Sequence, residues 1–343
     1  MSKFDHKNKI VTTDWLTSVL KQNGYLESGQ VVKVDQKTLG ASNTSEFFEI
    51  SIQYSDANSG KRPETCLMKL SKPERFAPCQ REALFYEFMR IHQSPSVLNS
   101  YATSIDKELQ SVVILMHYKT DASRPSENMI PPDIRLCEQA VRALARFHAH
   151  WWKHPELENI TTWLDSGLSV LNVTDELVLK FIDRLGDALS PARRKIIEHS
   201  FEYFPVVYQK HKVETRRQTI VHGDSHFWNF LFPEDPTQNP TLIDWQSWNV
   251  DFCARDLAYM IALYWFPERR VRYEERMLNS YLDELNRCDI HLTFEELWND
   301  YRLCVAGLVL YPCFQGPTRI WWHQMERLFC AFEDLDCYEV LDQ

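Results

Sequence analysis

Extended, alternating segments crowd the first 117 residues of this chain, and the rest repeats mainly at the helical period. That asymmetry restricts the fold more than any other feature. A short leading helix over Asp14–Leu20 is closed near Gly24. Two alternating strands follow, Val31–Thr38 and Phe47–Tyr54, around the small polar turn Leu39–Ser45. A second turn spans 56–63, and Thr65–Leu70 resumes as an apolar strand carrying the single Lys69. Phe76–His92 places Ala83, Leu84, Phe85, Phe88 and Met89 at helical spacing, and Ser111–Met116 (SVVILM) is a β-branched strand. The order predicts a small α+β lobe built on an antiparallel sheet with one main helix.

A polar, proline-containing connector, 119–132, leads into helices expected at 133–152, 175–189, 191–209, 253–266, 269–286, 293–310 and 321–341. Two short β-like pieces, Thr219–Val221 and Thr241–Ile243, interrupt them. The expectation is a bilobal α+β protein with a sheet-bearing N-terminal lobe, 1–117, and a larger, mostly helical lobe, 118–343. The crossing would lie near Met116–Ala122.

The charge of −10 opposes a surface that tracks nucleic acid. The nine cysteines form no C-x-x-C pair, which argues against a zinc framework and suits a reducing compartment. The first ten residues lack the apolar core of a signal peptide. The longest apolar run, Leu257–Phe266, is half the length that a bilayer span requires. A cytoplasmic protein without membrane or nucleic-acid partners is expected.

The sharpest chemical signal is His222-Gly223-Asp224-Ser225-His226-Phe227-Trp228-Asn229, a polar loop between apolar flanks. An Asp and an Asn five apart on such a loop can face one point. The Asp can orient and deprotonate a hydroxyl, while the Asn offers an amide oxygen to Mg2+. Fifteen residues on, Asp244 ends the apolar piece Leu242-Ile243 and suits a second metal ligand. Lys69, isolated in an apolar strand, must point outward or be paired, because burying an ammonium alone is costly. Glu82 on the next helix could pair with it and hold it for ATP phosphates. The Gly40–Ser45 turn could lay backbone N–H groups and hydroxyls over phosphates.

In this order the residues resemble the aminoglycoside phosphotransferase superfamily, which includes choline kinases and ecdysteroid-kinase-like proteins. The likeness rests on His222-Gly223-Asp224 with Asn229, Ile243-Asp244-Trp245-Gln246, Asp256-Leu257-Ala258-Tyr259 and Leu144-Ala-Arg-Phe-His148-Ala149. It covers about residues 30–265. The "DWQ" at 244–246 and "HAHWW" at 148–152 tilt it toward the ecdysteroid-kinase-like branch. The resemblance implies a protein-kinase-like bilobal fold and an ATP- and Mg2+-dependent kinase acting on a hydroxylated, potentially cationic small molecule. It implies Asp224 as catalytic base, Asn229 and Asp244 as magnesium ligands, and Lys69 on the phosphates, fixed by Glu82. It further implies Ser42, Asn43 and Thr44 over the nucleotide, Met116, His117 and Tyr118 at the adenine through backbone groups, and Asp256 as a buttress of the loop. Family members often carry an acidic residue near the crossing, where this chain has Met116-His117-Tyr118. That departure bears on the choice of ATP or GTP rather than on catalysis.

Other readings stand beside this one. His222, Asp224 and His226 have the alternation of a metal-dependent hydrolase site, and a catalytically silent nucleotide-binding protein would keep the same residues. A protein kinase is disfavoured, since the loop reads His-Gly-Asp and no A-P-E segment follows Asp244. Trp228, Trp245, Trp248, Trp265, Trp321 and Trp322 are expected mainly in core or pocket walls. Trp248 and Asp251, just after the metal Asp, are the first candidates for substrate contact. The acidic stretch Glu333, Asp334 and Asp336 is expected on a solvated helix face.

Overall fold

The computed structural model describes residues 4–55, 61–125, 130–164, 171, 173–215, 217–235, 237–315 and 319–342. Parts of the expected second turn (56–60) and connector (126–129), and the side chain of Trp321, lie outside the described residues. The elements are α1 (Thr13–Gln22), β1 (Val31–Ala41), β2 (Ser45–Tyr54), β3 (Thr65–Ser71), α2 (Phe76–His92), β4 (Ser100–Asp106) and β5 (Ser111–His117). Then come β6 (Ala122–Ser123), α3 (Ile134–His150), α4 (Glu156–Trp163), α5 (Asp175–Leu185), α6 (Pro191–Thr215), β7 (Gln218–Val221), β8 (Phe230–Pro233), β9 (Thr241–Leu242) and β10 (Asn249–Phe252). The chain ends with α7 (Ala254–Ala258), α8 (Pro267–Arg287), α9 (Phe294–Leu308), α10 (Tyr311–Gln315), α11 (Arg319–Asp334) and α12 (Cys337–Leu341). The architecture is α+β and bilobal. One compact unit comprises residues 1–123 with 241–246, and the other 124–240 with 247–343.

In the first unit an antiparallel five-stranded sheet runs in the order β1-β2-β3-β5-β4. Side chains alternate between faces along a strand. Ile50 and Ile52 of β2, Met68 and Leu70 of β3, and Val113 and Leu115 of β5 therefore share one core with Trp15, Leu16 and Leu20 of α1. Thr12 caps α1 by accepting from the Trp15 N–H at 3.2 Å, worth about 1 kcal/mol. Lys69, between Met68 and Leu70, falls on the opposite face. The expected turn at 39–45 narrows to Ser42–Thr44, because β1 continues through a bulge between Thr38 and Gly40. β4 was not predicted. Its sequence, SYATSID, is small and polar, and it becomes a strand by pairing along the apolar β5.

The first helix of the second unit is α3, whose cap Asp133 accepts from the N–H groups of Arg135 and Leu136 at 2.8 and 3.2 Å. Ala140, Val141, Leu144 and Phe147 bury one stripe of this helix, which packs on α8. The β-like piece at 218–221 finds its partner in β10, with Val221 opposite Asn249 and Thr219 opposite Asp251. The helix expected over 253–266 is instead α7 followed by a π-helical turn, Tyr259–Leu263. Asp334, expected on a solvated face, is exposed yet also pairs with the buried guanidinium of Arg270. Among the described residues, no helix is long and apolar enough to cross a membrane.

Candidate active site

The two-residue period of β3 sends Lys69 toward α2, and the pairing anticipated for it is present. Its Nζ donates to Glu82 Oε2 at 2.6 Å and to Asp244 Oδ1 at 2.7 Å. The Lys69 and Glu82 side chains are 7% and 1% exposed, and that of Asp244 is 33% exposed. Burial alone would depress the ammonium's pKa, but the carboxylates of Asp244 and Glu82 outweigh it and hold Lys69 above the ordinary lysine range. Burial raises the Glu82 carboxyl, Lys69 opposes that rise and Asp244 adds to it. Asp244 adopts φ +68°, a left-handed conformation that Asp tolerates better than most residues. Its neighbours fasten it within the same unit. Trp245 stacks on Phe85 at 4.0 Å between centroids, and Leu242 N–H donates to Ser96 at 2.7 Å. Gln246 Nε2 reaches Glu82 Oε2 at 3.4 Å and Thr44 Oγ1 at 3.3 Å. The role of Gln246 in spanning these two groups was not read from the sequence.

The Ser42-Asn43-Thr44 turn is organised by Ser42, whose Oγ accepts from the N–H groups of Thr44 and Ser45 at 3.2 and 3.1 Å. Lys72 donates from Nζ to the Ser42 carbonyl at 2.5 Å. At the other end of the sheet, Met116 is buried, His117 exposed and Tyr118 half-buried. The backbone N–H of His117 already donates to Asn99 at 2.8 Å.

In the second unit, β7 runs into the loop that carries Asp224. Gly223 adopts φ +77°, and a Cβ there would lie 2.2 Å from the Ser247 carbonyl oxygen, so the position requires glycine. The loop's backbone is held by fully buried Asp256. Oδ2 accepts from the His222 N–H at 2.6 Å and Oδ1 from the Gly223 N–H at 2.9 Å, while Ser225 Oγ donates to the Asp256 carbonyl at 2.8 Å. His148 Nε2 lies 3.2 Å from Asp256 Oδ2, and its Nδ1 lies 2.8 Å from the Tyr281 hydroxyl. Burial would raise the Asp256 carboxyl, but His148, His222 and the backbone donor hold it below the usual range. The motif around His148 and the buttressing Asp256 thus meet.

Asp224 remains one-third exposed, and Tyr259 donates its hydroxyl to Oδ1 at 2.8 Å. Burial first, and the Asp224 charge second, push the Tyr259 phenol well above its ordinary pKa, so it stays a donor. The sequence had marked Tyr259 only as part of a motif. Its role follows from the π turn that it opens. Asn229 Nδ2 donates to the Asp224 carbonyl at 2.8 Å and lies 3.4 Å from Oδ2.

The two residues expected at the substrate are buried. Trp248 is fully buried, and Asp251 is 5% exposed. Asp251 accepts from Arg255 at 2.6 Å, from the Phe252 N–H at 2.7 Å and from the Tyr208 hydroxyl. Both are held within the unit's interior, Asp251 at the wall of a small cavity that Tyr208 and Arg255 also line. Trp228, Trp245 and Trp265 are likewise buried, while Trp322 is 38% exposed. The hydrolase reading is not favoured. His222 is fully buried and uses Nδ1 for the Asp224 N–H at 3.3 Å, and among the described residues no three His, Cys, Asp or Glu side chains are grouped to hold a metal.

Each unit carries donors suited to a hard cation. Lys69, Glu82 and Asp244 carry a net negative charge when all three are ionised, which favours a cation beside Asp244. With the amide nitrogen of Asn229 committed to Asp224, its oxygen is the side-chain atom left for a hard cation.

The sequence profile of the ecdysteroid kinase-like family matches residues 41–294, well over half of the chain. The chain belongs to that family. Among curated proteins none matches this ecdysteroid kinase-like chain in sequence. Solved structures share its fold at low identity. A protein of Ralstonia eutropha JMP134 described as an aminoglycoside phosphotransferase aligns with a TM-score of 0.56 and 14% identity, over 97% of this chain and 99% of its own. A microcompartment-associated aminopropanol kinase gives 0.55 at 10% identity, over 94% and 96%. An ethanolamine kinase of Plasmodium vivax gives 0.52 at 12% identity, over 88% and 81%. The ecdysteroid kinase-like chain therefore has a kinase-like fold.

Proposed function

We propose that this protein transfers the γ-phosphoryl group of ATP to a hydroxyl of a small molecule. Family membership and fold both support small-molecule phosphotransferase activity. The observation that carries the finer reading is the Asp224 carboxylate, partly exposed on a loop whose backbone Asp256 grips and whose Oδ1 Tyr259 holds. A carboxylate so oriented would accept the acceptor's hydroxyl proton as that oxygen attacks the γ-phosphorus. Lys69 would lie on the phosphates, kept charged and in place by Glu82. Ser42, Asn43 and Thr44 are proposed over the nucleotide, with the backbone at Met116, His117 and Tyr118 beside the adenine. Asn229 and Asp244 are the proposed magnesium ligands. Bound magnesium would offset charge on the phosphate oxygens.

The acceptor is proposed to be a hydroxylated metabolite. Two of the structural relatives are named for amino alcohols, which brings cationic acceptors into consideration. The test is ATP consumption against a panel of amino alcohols, aminoglycosides, sugars and hydroxylated steroids. Turnover on at least one class is expected. Asp224→Ala should lower kcat at least ~100-fold with nucleotide affinity retained, and Asp244→Ala should weaken Mg·ATP binding as well. Wild-type rates in Asp224→Ala would sink the base assignment. ATP binding without consumption across the panel would favour a silent nucleotide-binding protein.

A further inference from the structure

Trp245, fully buried on the Phe85 ring, anchors the backbone from which Gln246 extends. The Gln246 amide nitrogen carries two hydrogens and lies 3.4 Å from Glu82 Oε2 and 3.3 Å from Thr44 Oγ1. Glu82 Oε2 also accepts from the Lys69 ammonium at 2.6 Å. An oxygen in that position has no hydrogen to offer, so the amide turns its nitrogen to Glu82. Its second hydrogen then goes to Thr44.

The hydroxyls of the turn are ordered to match. Ser42 Oγ accepts from the N–H groups of Thr44 and Ser45 at 3.2 and 3.1 Å, which fills both of its acceptor sites. The Ser42 and Thr44 hydroxyls lie 3.2 Å apart, so Ser42 is the donor between them. Ser45 Oγ likewise donates toward Thr44 Oγ1, at 3.4 Å. Thr44 Oγ1 thus accepts from Gln246 and from the serines, and among the described residues none of its partners can take its own hydrogen. Thr44 is half-buried, and its backbone is pinned on both sides, the N–H by Ser42 and the carbonyl by the Lys72 N–H at 2.9 Å. The Lys72 ammonium lies on the Ser42 carbonyl at 2.5 Å. A fixed hydroxyl donor with a cation on the same turn favours an anionic oxygen.

We propose that Gln246 is a positioning residue for the nucleotide: by donating to Thr44 it leaves the Thr44 hydroxyl hydrogen for a phosphate oxygen. The inference rests on the nucleotide reading of the Ser42–Thr44 turn. The same amide serves the neighbouring ion pair. Burial raises the Glu82 carboxyl, and Gln246 joins Lys69 in opposing that rise. One side chain therefore links the turn to the Lys69–Glu82 pair.

The experiment is calorimetric titration of the full-length protein with Mg·ATP and, separately, with adenosine, which has the base and sugar but no phosphate. Thr44→Val removes the hydroxyl at nearly equal volume and should weaken Mg·ATP about 10-fold. Gln246→Met keeps the length, loses the donor and should weaken it at least ~3-fold. Adenosine affinity should stay within about 2-fold in both. The double variant should bind Mg·ATP within about 2-fold of Thr44→Val alone, because both changes break one chain of bonds. Thr44→Ser should stay within about 3-fold of wild type, since the hydroxyl is kept. Should Gln246→Met fail to fold, Gln246→Ala takes its place. A wild type that binds no Mg·ATP would end the nucleotide reading and this inference together. With Mg·ATP bound, an unchanged affinity in the Gln246 variant, full additivity of the two changes or an equal loss of adenosine would overturn the role of Gln246 and leave the nucleotide reading standing.

Discussion

Asp224 owes its placement to groups distant in sequence, and two of them give direct tests. Tyr259→Phe removes a hydrogen bond to an ionised carboxylate and nothing of the ring. Such a bond is worth about 1.5–3 kcal/mol, so kcat should fall by roughly tenfold or more while nucleotide affinity holds. Steady-state kinetics would show the split, and an unchanged kcat would remove Tyr259 from the positioning of Asp224. Gly223→Ala acts on the backbone. It brings a methyl group against the Ser247 carbonyl at a positive φ, and the strain should cost at least ~2 kcal/mol in denaturant unfolding. His-Gly-Asp and Asn229 were legible as a group because their spacing is local. Tyr259 was not, since its link to Asp224 crosses 35 residues and depends on a π turn that no periodicity reveals.

Whole elements hang on buried charges. Asp256 ties α7 to the loop after β7 and to His148 of α3. Its folded-state pKa lies below the ordinary value, near 3.9 in an unfolded chain. The stabilisation from this group is therefore full above that value and is lost as pH falls through the folded pKa. Asp256→Asn should cost about 2–4 kcal/mol at neutral pH, and the difference from wild type should shrink toward pH ~3. Urea melts across that range would measure it. Lys69→Met leaves the carboxylates of Glu82 and Asp244 facing each other without their ammonium. The destabilisation should be about 3 kcal/mol or more, and Glu82→Gln in the same chain should recover part of it. Failure of the second change to help would mean that Lys69 is not what keeps Glu82 ionised.

The elements read from sequence were those with an apolar stripe. α2 was predicted to its observed ends because apolar residues recur along its length, and Ala83, Phe85 and Met89 among them are buried. β4 and α4 escaped for opposite reasons. β4 is too polar to alternate, and the eight residues of α4 are too few to display a period. The burial of Trp248 and Asp251 was not legible, because proximity in sequence to Asp244 says nothing of β10, whose pairing with β7 carries Asp251 inward.

At the scale of the molecule, all nine cysteines are free thiols, yet only Cys288 is exposed and Cys330 half-buried. Burial pushes Cys137, Cys253 and Cys313 up to about 12 and Cys79 to about 11. A thiol-specific chromophore should thus label one cysteine quickly in the native protein, a second slowly and the rest only on unfolding. Cys288→Ser should abolish the fast phase, and a fast phase that persisted would place a different thiol at the surface.

Residues 241–246 belong to the first compact unit although residues 124–240 of the second precede them. During synthesis the first 123 residues emerge with Glu82 beside Lys69 but without Asp244, Trp245 or Gln246. The Phe85 ring then lacks its stacking partner, and the ammonium has one carboxylate instead of two. On the ribosome, the earliest part of the chain to appear is completed only after a much later stretch has left the exit tunnel.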